Sequence, residues 1–202
     1  MSLPSLPTDL PEPGPAAEPV AREPSQFSLK ALLREVLETI ILTVVIYAVV
    51  NFATGRFKVE GSSMEPNVLP NEYVLVDKLS YLIGQPQRGD VVVLIYPLAT
   101  ERDFIKRIVG LPGETITVAG GVVSIDGLPL QEPYIAAPPI AGGTWKLGPD
   151  QYFVMGDNRN NSSDSRSWGP LDRKYLIGKA VLTYWPPQAW ALMPHVTYAS
   201  TP

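Results

Sequence analysis

The chain has 202 residues, a formal net charge of −4, no cysteine and one histidine. That composition excludes disulfides, thiolate metal sites and a cysteine nucleophile, and it leaves too few histidines for a histidine-built metal centre. Charges of both signs are mixed along the chain without the basic stripe that nucleic-acid binding needs, and 22 prolines with 16 glycines favour many turns and short strands over a helical bundle.

Residues 1–27 carry seven prolines and only small or isolated apolar groups. Such a segment buries too little surface to offset its ordering entropy, so it is expected to be a disordered tail. It lacks the basic start and apolar core of a cleaved signal peptide. Helix formers begin after Ser28, a residue suited to capping. From Thr39 to Gly55 there are 17 residues without a charge, at the lower edge of the roughly 17–25 that span a bilayer. Residues 28–55 are therefore expected to form a transmembrane helix; a buried core helix or strand pair is the alternative. Charged residues flank both ends, so the positive-inside rule leaves its orientation open.

From Arg56 the pattern becomes that of strands. Expected strands lie at 56–60, 72–77, 90–96, 103–109, 152–155 and 180–184. Thr115–Val118 and Val122–Ile125 form a hairpin on Gly120-Gly121, with a second turn at Asp126-Gly127. Residues 133–149, rich in Pro, Ala and Gly, are expected to be a loop. Strand after short strand implies a mainly β domain over 56–202, a sandwich or barrel large enough for one core.

Three stretches carry chemistry. Gly61-Ser62-Ser63-Met64-Glu65-Pro66 offers serines in a tight, proline-closed turn. A serine hydroxyl needs a base, and His195, close to the C-terminus, is badly placed for a Ser-His-Asp triad and reads as a surface or tail residue. Lys106 stands in an apolar strand where strict alternation puts it on one face with Phe104 and Ile108. Burial there would draw its pKa down towards the ~7–8 useful to a general base. The alternative faces Ile105, Arg107 and Val109 inward instead. The third stretch, Gly156 to Arg166, is polar throughout. An ordinary solvent loop fits it, but Asp164 and Arg166 could pair and stiffen it, and its serines could orient a neutral lysine. On these grounds alone Ser62 and Ser63 both remain candidate nucleophiles.

Together these stretches resemble the bacterial type I signal peptidases, membrane-anchored serine proteases that remove signal peptides. The matching residues are Gly61 to Pro66 with Leu69, Arg88 to Val93, Phe104 to Glu114, and Gly156 to Arg166 with Trp168-Gly169; Ile125-Asp126-Gly127 and Tyr134 also fit. The resemblance spans about residues 30–185. It implies a membrane-anchored all-β catalytic domain of the signal-peptidase/self-cleaving-repressor type after one transmembrane helix. It also implies a Ser/Lys dyad. The Ser-Met-x-Pro spacing selects Ser63 as nucleophile over Ser62, and Lys106 becomes the general base. Ser162 would orient the lysine, Asp164 and Arg166 would hold the loop that begins at Gly156, and the Ser63 N–H would be one oxyanion donor. Gly61 stands where some members have a hydroxyl donor, so the second donor is left to a backbone group or Ser62. Asn160 replaces a frequent aspartate. No cofactor or metal is implied. The implied partners are membrane lipid and secretory preproteins with small residues at −1 and −3. The implied location is the cytoplasmic membrane, single-pass, with residues 1–38 in the cytoplasm and the catalytic domain outside. Two other readings are a self-cleaving Ser/Lys regulator, which the apolar run disfavours, and a catalytically silent membrane-anchored β-domain that binds a partner.

Overall fold

The computed structural model describes residues 28–194 together with Val196 and Tyr198. The proline-rich segment 1–27 and His195 lie outside the described residues. Leu29–Ala53 forms one α-helix, α1, with no buried side chain; by length and composition it is fit to cross a membrane. The Ser28 hydroxyl accepts from the Ala31 N–H at its start. The hydroxyls of Thr39, Thr43 and Thr54 donate to helix carbonyls four residues back, so these three side chains are satisfied locally. The chain divides into two units, Met1–Thr43 and Val44–Pro202, and the last turns of α1 go with the β-domain.

The β-domain begins with β1 (Thr54–Lys58), β2 (Tyr73–Asp77), the one-turn helix α2 (Ser80–Ile83), β3 (Val91–Ile95) and β4 (Asp103–Gly110). It continues through β5 (Thr115–Ala119), β6 (Val122–Ile125), β7 (Leu128–Pro129), β8 (Gly143–Lys146) and β9 (Gln151–Met155). It ends with the short helix α3 (Ser165–Trp168), β10 (Leu171–Asp172), β11 (Leu176–Trp185) and β12 (Ala191–Leu192). The fold is mainly β, as the alternating pattern implied. One curled antiparallel sheet has the order β1-β2-β11-β3-β4-β9-β10, with β12 added to β11, and a smaller sheet has the order β7-β6-β5-β8.

The small sheet follows from its turns. Gly120 and Gly121 both have positive φ, 56° and 80°, as do Asp126 and Gly127 at 49° and 85°, which is what two-residue hairpin turns require. Contrary to the loop expected over 133–149, that stretch contains β8, which pairs with β5. Its four residues are too short for a visible period, and Trp145 earns its place by packing on Phe153, ring centroids 4.8 Å apart. The strand expected at 180–184 is longer, because β11 bends through several register shifts while serving both β2 and β3.

The continuous apolar run of β3 is explained by burial on both faces. Val91 and Val93 join a core with Val59, Met64, Val68, Val74, Val76 and Ala180. Val92 and Leu94 join another with Ile108, Tyr152, Val154 and Leu171. A third core, built on Ile116, Val118, Val123, Leu147 and Phe153, lies against the small sheet.

Candidate active site

The serine turn hangs between β1 and β2. Its two ends are tied together, Val59 N–H to Glu72 O at 2.8 Å and Asn71 N–H to Val59 O at 2.7 Å. Met64 and Val68 are fully buried in the first core, so apolar anchors hold the turn while Gly61, Ser62 and Ser63 stay accessible. Lys106 comes from β4. Its Nζ lies 2.7 Å from Ser63 Oγ and 2.7 Å from the Ile105 carbonyl oxygen. Ser62 is not in this contact; its hydroxyl accepts from Asn161 Nδ2 at 2.8 Å.

Lys106 is only 3% exposed. Burial draws its pKa down from 10.5 to about 8, against the opposing pull of the Asp164 and Asp157 carboxylates. The two face assignments of the sequence reading are not exclusive, for every residue from Lys106 to Gly110 is buried. Phe104 and Ile108 share one core, Ile105 packs on another, and Arg107 is wholly buried as well.

Arg107 is tolerated because it is paired. Its Nε and Nη2 donate to the two Asp157 oxygens at 2.8 and 2.7 Å, and its Nη1 donates to the Gly89 and Pro194 carbonyls. Its guanidinium also lies 4.2 Å from the Tyr134 ring centroid. Burial alone would lower its pKa, but the Asp157 hydrogen bonds and charge outweigh that and hold it above the ordinary value. A second buried guanidinium, Arg159, pairs with Glu132 at 2.6 Å. Neither pair was foreseen from the sequence; an arginine inside the apolar run of β4 was the only available signal.

The polar stretch after β9 wraps the serine turn. Asn158 N–H donates to the Ser63 carbonyl at 3.0 Å, and its Nδ2 donates to the Ser62 carbonyl at 3.1 Å. Asp164 and Arg166 do pair, at 2.7 Å. The Asp164 carboxylate also accepts from the Gly156 N–H at 3.0 Å and caps α3 through the Arg166 N–H. Gly156 must be glycine: a Cβ there would meet Ser162 Oγ and come within 2.5 Å of the Ser63 carbonyl oxygen. Ser162 Oγ is buried with no hydrogen-bond partner among the described residues, and the two bonds made by Lys106 go to Ser63 and Ile105. Asn160 accepts from the Ile140 N–H and donates to the Pro138 carbonyl, so it pins the 138–140 loop by neutral bonds.

A groove of about 680 Å³ opens in front of Ser63 and Lys106, lined by Phe57 to Gly61 on one side and Glu101 to Lys106 on the other, with Val74 and Val93 between. Its walls are open strand edges. The Val59–Glu72 bond and the alternation of an antiparallel ladder turn the peptide groups of Lys58 and Glu60 away from β2. On the other wall, Tyr96 N–H to Arg102 O and Ile108 N–H to Asp90 O turn those of Asp103 and Ile105 away from β3. β9 pairs with β4 only from Arg107 onward. Each wall thus offers main-chain donors and acceptors across the groove.

Residues 32–185 match the family described as signal peptidase, peptidase S26. Signal peptidase I of Leptolyngbya laminosa is 40% identical over 181 residues, 85% of this chain and 88% of that protein. Probable signal peptidase I-2 of Synechocystis sp. is 44% identical over 140 residues, 66% of this chain and 64% of the relative. Signal peptidase I S of Bacillus subtilis is 34% identical over 173 residues, 79% of this chain and 92% of the relative.

Proposed function

The chain belongs to the signal peptidase family, peptidase S26, and on that premise we propose that it is a membrane-bound serine endopeptidase that removes signal peptides from exported preproteins, with Ser63 as nucleophile and Lys106 as general base. The observation that carries this is the 2.7 Å contact between Lys106 Nζ and Ser63 Oγ. A neutral Lys106 takes the Ser63 proton as Oγ attacks the scissile carbonyl carbon. The resulting ammonium then protonates the departing amine, leaving an acyl-enzyme. Water, deprotonated by the same amine, releases the signal peptide. The Ser63 N–H serves as one oxyanion donor. Ser162 is assigned the support of the lysine. A neutral amine has two N–H donors and one lone pair; the lone pair faces the Ser63 hydroxyl and one N–H goes to the Ile105 carbonyl. That leaves the second N–H for the buried, unpartnered Ser162 hydroxyl. Asp164, Arg166 and Gly156 keep that loop against the serine turn.

The substrate is an extended segment that enters the groove as an added strand, bonded on one side to Lys58 and Glu60 and on the other to Asp103 and Ile105. Phe57, Val59, Val74, Val93 and Ile105 offer it apolar walls, suited to small side chains at −1 and −3. In this reading residues 1–27 are a cytoplasmic tail, 28–55 a single membrane anchor and 56–202 the peptidase domain outside the cytoplasmic membrane. The chemistry calls for no cofactor.

The test is cleavage of a purified preprotein in detergent. Wild type and Ser62→Ala cut it, whereas Ser63→Ala and Lys106→Ala lose at least ~10³-fold in kcat/KM. A preprotein with Phe at −1 is not cut. Because the lysine must be neutral, kcat/KM rises with pH through about 8. A Lys106→Ala variant within tenfold of wild type would overturn the assignment of the base.

A further inference from the structure

The helix α2 is a single turn clamped at both ends, and its apolar side chains are uncovered. At its start Asp77 Oδ1 accepts from the N–H groups of Leu79 and Ser80 at 2.8 and 3.1 Å, and the Ser80 hydroxyl donates to Oδ2. At its end Arg173 Nη2 donates to the carbonyls of Tyr81 and Gly84, both at 3.1 Å. Tyr81 turns inward and donates to Asp90 at 2.9 Å. Leu82 and Ile83 turn outward, 69% and 92% exposed, and Ile83 is the most exposed large apolar side chain among the described residues. A turn held by two ionised side chains is not a loosely tethered loop, so the exposure of this pair is built in.

The position of α2 identifies what covers it. The Lys78 N–H donates to the carbonyl of Ala53, the last residue of α1, at 2.9 Å, and Thr54 pairs with Asp77. α2 therefore starts where the apolar helix ends. α2 is one turn of four residues, about 6 Å long, so Leu82 and Ile83 stay close in the chain to that point. The Lys78 side chain runs past Gly55 at the same level, a cation where phosphate headgroups would lie.

We propose that α2 is a membrane foot: Leu82 and Ile83 enter the headgroup–acyl boundary of the bilayer that α1 crosses, so that the β-domain is held at two points and not by a single tether. The inference rests on the reading of α1 as a membrane anchor. It does not extend to Trp185, which pairs with Tyr73 at the opposite end of β2.

The absence of native cysteines makes the test direct. The full chain carrying Leu82→Cys, Ile83→Cys or, as reference, Leu128→Cys on β7 is labelled with a polarity-sensitive nitrobenzoxadiazole. It is then reconstituted into phosphatidylethanolamine/phosphatidylglycerol vesicles with or without shallow nitroxide lipid. Only labelled protein that cleaves preprotein like wild type is compared, since none of the three positions lines the cleft. The fluorophore at 82 and 83 is expected to shift to the blue and to be quenched at least about twofold more than at 128. Protein that floats with the vesicles but shows equal quenching at all three positions overturns the foot and leaves the anchor standing. Protein that fails to float overturns the anchor reading, and the foot with it.

Discussion

The two sheets solve opposite problems. In the small sheet, β5, β6 and β7 are joined by two-residue turns, and its core is apolar throughout. In the curled sheet β1 meets β2 across the whole serine turn, and β11 crosses to both β2 and β3. Beneath its cleft lie Lys106, Arg107, Asp157, Arg159 and Asp164, all buried. Buried charges are a poor way to gain stability, because desolvation offsets the attraction between partners. What they supply here is position. Arg107 is the neighbour of Lys106, and Asp157 is the neighbour of Asn158, whose N–H holds the Ser63 carbonyl. One ion pair, closed at 2.7 Å, thus brackets both halves of the proposed dyad. The small sheet is packed for stability; the curled sheet accepts buried charge to fix a distance.

The sharpest way to break this comparison is to remove one half of the bracket. Asp157→Ala leaves the Arg107 guanidinium buried and unpaired, and it is expected to cost about 3–5 kcal/mol in denaturant unfolding. Because Asn158 is displaced with it, kcat should fall more than KM changes. A variant of near wild-type stability with unchanged kcat would show that the pair brackets nothing.

The same contrast decides what could be read in advance. The hairpin at Gly120-Gly121 and the run of β3 are local signals, and both are where the periodicity put them. The serine turn, Lys106 and the Asp164–Arg166 pair were legible as separate stretches, and the resemblance joined them. What was hidden depends on partners distant in sequence. β8 exists because of β5, not because of its own four residues. Arg107 is buried because Asp157, fifty positions on, meets it there. Alternation offered a choice between the Lys106 face and the Arg107 face, and it failed because the strand is covered on both sides. Ile105 rather than Ser162 as the second partner of Lys106 depends on a backbone carbonyl, which no side-chain pattern reveals.

Lys106 itself offers a subtler test of stability given up for function. Its folded pKa is about 8 against an ordinary 10.5. Between those values the unfolded chain binds more protons, so this residue makes stability rise with pH. Below the folded pKa the folded state carries the whole penalty, roughly 3 kcal/mol for a depression of this size. Lys106→Met removes the titration. The inactive variant should therefore be more stable than wild type near neutral pH, less whatever the bonds to Ser63 and Ile105 contribute, and the difference should fade as pH rises past the ordinary lysine value. Thermal melts of both proteins across that range check it. A Met variant that is less stable at neutral pH and equally so at every higher pH would mean that the lysine is not held against its own solvation.

The smallest effect belongs to the small sheet and asks whether the two regions are independent. Ile116 is fully buried, and its Cδ1 fills the space beside Gly110, at the end of the strand that carries Lys106; a Cβ on that glycine would meet it at 2.5 Å. Ile116→Val removes that one methyl from an apolar core and should cost about 1 kcal/mol. No ion pair or hydrogen bond of the dyad changes, so kcat/KM and its pH limb should stay within twofold of wild type. If activity instead falls tenfold while stability drops by the expected amount, the methyl is bracing β4 from behind. The small sheet would then be part of the apparatus that sets the Ser63–Lys106 distance, and the division between a packed region and a positioned one would fail at Gly110.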